Sequence, residues 1–286
     1  MRSVDLAYKF TVVMATYFFE KASNLDDALK SIFEQSVTPD EVILVVDGDI
    51  GTDQKKVIQK FSLDYDFFSV IWLDENVGRG KARNIGVENA KHDLIAIMDS
   101  DDIACFDRFK LTIDALISRE VDLVSSLQEE FDGFTGQSLA VKQCPEFDYE
   151  IKKSLLFSCV ISNPSIIFKK TAWVSVGGFP DFQSWNEDYL FFLRLKKAGF
   201  KFYCVREPLI HVRISTDQKN RRAGLDAFKS DLAFRLICVK EKHHSIFYAI
   251  FILIVFGVKR FSPKMVRNFL NYVWRRRNVG SGIDCD

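Results

Sequence analysis

The sequence predicts an α/β protein built on a mainly parallel sheet with helices on both faces. Three observations predict it. Short apolar runs alternate with stretches of helical periodicity, the order that makes strand–helix–strand units. The connections between them are short. One run, Leu94 to Met98, stops abruptly at Asp99, Asp101 and Asp102, as a buried strand does when its end carries polar chemistry.

Phe10 to Ala15 reads as the first strand. Leu25, Ala28, Leu29, Ile32 and Phe33 then recur at helical spacing, with Asn24 as the cap and Asp26 and Asp27 in the first turn. Thr38-Pro39-Asp40 breaks the chain. Glu41 to Val46 is the second strand and ends at Asp47-Gly48-Asp49. Lys55 to Phe61 suits a helix, Phe68 to Leu73 a third strand, Asn76 to Gly80 a loop and Lys81 to Ala90 another helix, before the strand at Leu94. Residues 120–150 read as irregular. Ser165 to Phe168 reads as a later strand, and Trp173 to Phe179 leads into a turn at Gly177-Gly178. Asn186 caps a helix that starts at Glu187-Asp188, buries Leu190, Phe192 and Leu193, and stops before Gly199. Lys201 to Arg206 is the last expected strand, with His211 and Arg213 just past it.

The chain has 286 residues, 48% hydrophobic and 27% charged, enough for one large core with an appendage. Formal net charge is zero, so nothing global points to nucleic acid. The six cysteines, at 105, 144, 159, 204, 238 and 285, form no C-x-x-C pair, so a zinc knuckle is not expected and reduced thiols in the cytosol are. The opening MRSVDLAYKF is too polar for a signal-peptide core, which places the catalytic part in the cytoplasm.

Clustered carboxylates at a strand end repel one another unless a cation neutralises them. In open α/β sheets ligands sit beyond the carboxyl ends of the strands. Hard divalent ions such as Mg²⁺ take oxygen ligands and leave part of their shell to water and substrate phosphates. The acidic cluster therefore reads as a metal site that holds a diphosphate. A polar turn is the structural alternative, because Asp and Ser are common turn residues.

Five features follow in one order: Asp47 after an apolar strand; NVGRGKARNIG, with Arg79, Lys81, Arg83, Asn84 and Gly86; the cluster at 99–102; Gly177-Gly178-Phe179 ahead of Trp185-Asn186-Glu187-Asp188; and HVRISTDQKNRR. In that order the sequence resembles family 2 glycosyltransferases of the GT-A fold, in particular bacterial enzymes that build capsule, exopolysaccharide or O-antigen. The resemblance spans about residues 8–225. It implies that Asp47 contacts the base or ribose of a nucleotide-sugar donor, although the family's usual pair of aspartates before Gly is here Val46-Asp47. It implies that Arg79 and Arg83 lie near the donor, and Arg suits phosphate through its permanently charged fork. Asp99-Ser100-Asp101 matches the D-x-D motif, with Asp101 as direct ligand to Mn²⁺ or Mg²⁺ and Asp99 on the ribose or the metal shell. Asp102 orients the site or closes it structurally. Asp188 matches the catalytic base of inverting transfer, and Glu187 holds Asp188 or an acceptor hydroxyl. In the absence of the other motifs, the same two acids read as helix-dipole partners. On the same resemblance Trp185 would stack on an acceptor sugar, His211 would complete the metal shell, and Arg213, Arg221 and Arg222 would clamp the diphosphate or an acceptor phosphate, with a core Trp and an exposed basic surface as the alternatives.

Ile246 to Val258 is a thirteen-residue apolar run. As a helix it spans about 20 Å, short of the roughly 30 Å hydrocarbon core, so it is not expected to cross a membrane. Lys259, Arg260, Lys264, Arg267, Trp274 and Arg275-Arg276-Arg277 follow. That composition suits helices lying on anionic lipid, and otherwise a helix packed on a protein surface. The combined expectation is a catalytic domain at 1–225 and a helical, membrane-associating tail at 226–286. The protein would be peripheral on the inner face of the cell membrane and would move a sugar from a nucleotide-diphosphate donor, UDP by preference, to a lipid-linked saccharide. A sugar-phosphate nucleotidyltransferase and a catalytically idle scaffold are the rivals. The first would carry a Gly-rich phosphate loop near the first strand, and Thr11 to Glu20 holds no Gly.

Overall fold

The structure is a computed structural model and describes residues 8–181, 186–214 and 224–261. Trp185, Arg221, Arg222 and the basic stretch at 274–277 lie outside the described residues. The described chain forms two compact units, one of residues 8–181 and 187–214, the other of residue 186 and 224–261.

The first unit begins with three strand–helix repeats and a fourth strand. β1 (Phe10–Thr16), β2 (Glu41–Val46), β3 (Phe68–Trp72) and β4 (Leu94–Asp99) are joined through α1 (Ala22–Phe33), α2 (Thr52–Asp64) and α3 (Arg79–Asn89). These strands are parallel in the order β3-β2-β1-β4, so the connections reverse direction between β1 and β4. Ala15 pairs with Asp99 there, which sets the acidic cluster at the switch point where such sheets take ligands. Val12, Met14, Leu44, Ala96 and Met98 bury one face of these strands in a core with Leu25, Leu29 and Ile32 of α1 and Phe109 and Ile113 of α4 (Arg108–Ser118). On the other face α3 lies so close that a Cβ at Gly86 would collide with the Val13 side chain, which explains glycine inside a helix.

The second half of the sheet is mixed rather than parallel. β5 (Ile103–Ala104), β6 (Leu123–Asp132), β7 (Ser138–Lys142), β8 (Ile167–Lys169) and β9 (Phe202–Ile214) extend it in the order β4-β8-β6-β9-β5, with β7 paired to β6. β8 is antiparallel to both neighbours, and β6 and β9 run parallel. Two expectations fail here. Residues 120–150 are not irregular but supply β6 and β7; the burial of Ser125, Ser126 and Gln128 within β6 hides its strand pattern. β9 does not stop at Arg206: it passes through a register shift near Pro208 and carries His211 and Arg213 within the strand.

The remaining helices of this unit are α5 (Asp148–Ser154), α6 (Lys170–Ser175) and α7 (Glu187–Lys197). Leu190, Phe192 and Leu193 are buried as their spacing predicts, and Phe191 joins Phe168 and Phe179 in an aromatic cluster. Asn24 is not a cap: α1 starts before it, and its amide donates to Glu20.

The second unit holds α8 (Gly224–Lys240) and α9 (Ile246–Phe261), which pack on each other. Ala249 and Ile252 of α9 are buried, while Ile246, Phe247, Ile250, Phe251 and Ile254 form an exposed apolar stripe. Among the described residues no helix is long and apolar enough to cross a membrane.

Candidate active site

The site is assembled at the carboxyl ends of β1, β2 and β4 by the N-terminal turns of two helices. Arg79 and Arg83 stand one turn apart at the start of α3, so their side chains share a face. Glu187 and Asp188 open α7. Asp99 ends β4.

One buried arginine joins the two acidic motifs. Arg83 Nη2 lies 2.5 Å from Asp99 Oδ1, and its Nη1 lies 3.6 Å from Glu187 Oε1. Arg79 Nε reaches the same Glu187 oxygen at 2.5 Å, with its side chain half exposed. Asn163, in the short turn before β8, accepts from both Arg83 Nη atoms at 3.1 and 3.3 Å once its amide oxygen faces the guanidinium. Glu187 therefore anchors the arginines through Oε1. Among the described residues its Oε2 is buried without a hydrogen-bond partner, an open acceptor inside the site.

The carboxylates differ in character. Burial alone would raise Asp99, but Arg83 and Arg79 outweigh it and hold the group below its ordinary range. Burial, reinforced by Asp99 and Glu20, pushes Asp101 up to about 7. Burial and Glu187 also raise Asp188, partly offset by the two arginines. Asp188 Oδ1 accepts the backbone N–H of Tyr189 at 2.7 Å. Asp102 is buried and accepts the backbone N–H of Arg213 at 3.0 Å, so it ties β9 to the acidic loop.

Other sequence candidates are committed to protein partners. Asp47 accepts the backbone N–H groups of Val77 and Gly78 at 2.7 and 3.1 Å, which shapes the loop ahead of Arg79. Burial raises it, against those two bonds. Arg213 donates to the Asp101 carbonyl and to Asp27, at 3.0 and 3.1 Å. His211 is held by Glu129 at Nδ1, 3.0 Å away, and faces Cys105 Sγ at 3.2 Å from Nε2, rather than pairing with the acidic loop.

Three supporting residues stand behind the site: Asn84, which the NVGRGKARNIG stretch named without a role, and Arg108 and Glu20, which have no signal in the sequence pattern. Asn84 clamps α3 to the glycine turn: its oxygen accepts from Phe179 N–H at 2.8 Å and Trp173 Nε1 at 3.0 Å, and its amide donates to the Phe179 carbonyl at 2.8 Å. Gly178, at φ +78°, permits this approach, because a Cβ there would sit 2.7 Å from the Asn84 oxygen. Arg108 is fully buried behind the acidic strand, donating to Ile97 O at 2.7 Å and to Met98 Sδ at 3.0 Å. Burial pushes it down to about 10, opposed by the negative charge of Asp102. Glu20 adds its charge to the cluster.

The donor set fits a hard divalent cation. Asp101 and Asp99 are oxygen donors whose mutual repulsion a cation relieves. Among the described residues no three or more acidic, His or Cys side chains converge on a metal position.

Comparison with known proteins agrees with this architecture. The model of "Glycosyl transferase family 2" matches residues 11–170. A galactosyltransferase of Escherichia coli, UDP-Gal:alpha-D-GlcNAc-diphosphoundecaprenol beta-1,3-galactosyltransferase, is 32% identical over 218 residues, covering 76% of this chain and 78% of its own. The amylovoran biosynthesis glycosyltransferase AmsE of Erwinia amylovora is 28% identical over 262 residues, 91% of this chain and 97% of its own. In fold, the chain matches S. aureus TarS 1-349 in complex with UDP at a TM-score of 0.64 and 20% identity, covering 91% of this chain and 74% of that one. It spans 40% of a longer TarS chain. The sheet order, the D-x-D at the switch point and the acids opening α7 thus meet in a GT-A fold, and the chain belongs to glycosyl transferase family 2.

Proposed function

We propose that this protein is an inverting, divalent-cation-dependent glycosyltransferase that moves a sugar from a UDP-sugar to a lipid-linked saccharide during polysaccharide synthesis. The observation that carries the reading is the Arg83 bridge, which joins the D-x-D carboxylate Asp99 to the Glu187-Asp188 pair within one buried network. The TarS 1-349 complexes with UDP and with UDP-GlcNAc support a nucleotide-sugar donor. The diphosphoundecaprenol in the name of the E. coli relative supports the lipid-linked acceptor.

In this reading Asp101, with Asp99, holds Mn²⁺ or Mg²⁺. When bound, the ion neutralises the diphosphate and acts as a Lewis acid for the leaving group. Arg79, half exposed beside the buried Arg83, presents a guanidinium to the phosphates. Asp188 takes the acceptor proton as the hydroxyl attacks, and its raised pKa makes it a stronger base than an ordinary aspartate. Attack opposite the leaving nucleotide converts an α-linked donor into a β-linked product. The open Glu187 Oε2 accepts a sugar hydroxyl. The catalytic domain occupies residues 1–225. The tail at 226–286 associates with the inner face of the cell membrane through the apolar stripe of α9 and the basic residues after it.

The test is thermal stabilisation by a panel of nucleotide-sugars with and without Mn²⁺, followed by transfer to a diphospho-lipid-linked sugar. A metal-dependent shift with one UDP-sugar and a β-linked product are expected. Retention of anomeric configuration removes the inverting assignment. Saturating donors that give neither a shift nor turnover on vesicles carrying the acceptor overturn the reading.

A further inference from the structure

Three strands bring together side chains that sugar transfer leaves unused. β6 sets Glu129 opposite His211 of β9, and β9 sets His211 opposite Ile103 of β5. Cys105 follows β5 directly. Its Sγ lies 3.2 Å from His211 Nε2, and His211 Nδ1 lies 3.0 Å from Glu129 Oε2. An ionised carboxylate only accepts hydrogen bonds, so in the neutral imidazole Nδ1 carries the proton and Nε2 turns a lone pair toward the thiol. This is a nucleophile, a base within reach of it, and a third group orienting the base. The cluster is accessible, with Cys105 partly exposed and the His211 side chain 37% exposed. Of the other described cysteines, Cys144, Cys204 and Cys238 are buried, and Cys159, partly exposed like Cys105, turns its Sγ to the Ile161 carbonyl at 3.6 Å.

We propose that Cys105 is a nucleophilic modification site, with His211 as its general base and Glu129 as the orienting group, and that it takes small-molecule disulfides. Burial pushes the Cys105 thiol above its ordinary range, so the neutral thiol is the resting form and a base is needed. Pro208 O, 3.2 Å from Sγ, is a second acceptor for the same proton. In the reaction the thiol proton passes to His211 Nε2. The sulfur attacks one sulfur of R–S–S–R, a Cys105 S–S–R bond forms, and the R–S⁻ that leaves takes the proton from His211. One disulfide bond is exchanged for another, Cys105 is oxidised and the departing thiol is reduced.

The adduct would lie between β5 and β9. Two residues further along β9, Arg213 binds the Asp101 carbonyl through Nε and Asp102 through its backbone N–H. Displacing this strand loosens the acidic loop, so modification slows sugar transfer.

The experiment is incubation of the full chain with glutathione disulfide, followed by peptide mass mapping over time. Cys105 is expected to be modified first, and a dithiol reductant should reverse it. His211→Gln should slow its modification at least about tenfold, and Glu129→Gln, which leaves the imidazole in place, by a smaller factor. In urea all the cysteines should react alike, with no effect of either variant. Cys105→Ser should leave transfer unchanged and make it insensitive to the disulfide. If native Cys105 reacts no faster than the same residue in urea, or at one rate in wild type, His211→Gln and Glu129→Gln, the assignment is wrong. The labelling rates do not depend on sugar transfer, so failure of the transferase reading is distinguishable from failure here.

Discussion

Arg83 Nη2 lies 2.5 Å from Asp99 Oδ1, an ion pair that ties the second turn of α3 to the end of β4. The same guanidinium faces Glu187, so removing it uncovers two carboxylates at once. Arg83→Met should cost about 3 kcal/mol of folding stability, the low end for breaking a buried pair because Asp99 is partly exposed. Urea unfolding measures it; a loss well under about 1 kcal/mol would show the bridge to be unimportant for the fold.

Asp188→Asn should remove the proposed base while keeping the shape of the helix start. Transfer is expected to fall by about 10³-fold, with UDP affinity nearly unchanged. Steady-state kinetics beside calorimetric UDP binding separates the two. Near-normal turnover would move the base elsewhere.

Asp101→Ala should abolish the Mn²⁺-dependent part of donor stabilisation and leave any metal-independent part intact. Thermal melts with UDP, with and without Mn²⁺, provide the comparison. An undiminished metal-dependent shift would take Asp101 out of the metal site.

Asn84→Ala strands Phe179 N–H, Phe179 C=O and Trp173 Nε1. A cost of about 2 kcal/mol is expected, since buried polar groups lose their partners. Trp173 fluorescence during unfolding gives both the stability and the local change.

Glu41 gives a pH dependence away from the active site. Its buried carboxylate accepts from Thr11 Oγ1 at 2.8 Å and Lys91 N–H at 2.9 Å, and pairs with Lys91 Nζ. Burial opposes its charge, but the Lys91 and Thr11 contacts win and lower its pKa. A depressed folded pKa contributes stability that is present above the unfolded value, about 4.3, and lost as pH falls through the folded value. Glu41→Gln should therefore lose about 1 kcal/mol at neutral pH and show a smaller deficit below about pH 3. A deficit that is equal at both pH values would contradict this account.

The first half of the fold was legible because its strands are apolar throughout. Glu41–Val46 and Leu94–Asp99 are buried almost end to end and stop at acids, so period, length and terminus agree. β6 was not legible, because its buried serines and glutamine look like loop residues until the neighbouring strands β8 and β9 bury them. The candidate site residues were nameable from their spacing, but not their partners: Asp47 and Arg213 turned out to hold backbone, and Glu187 to hold arginines.

The sequence by itself determined the strand–helix order of the first half, the switch-point acids and the family, because these rest on local periodicity and on motifs read along the chain. Only the tertiary structure decided that Arg83 binds Asp99 and faces Glu187, that Asn84 clamps the glycine turn, and that Cys105, His211 and Glu129 meet across three strands. Those contacts join residues 16 to 106 positions apart in sequence. Their energies come from burial and geometry at the point of contact, which spacing along the chain does not encode.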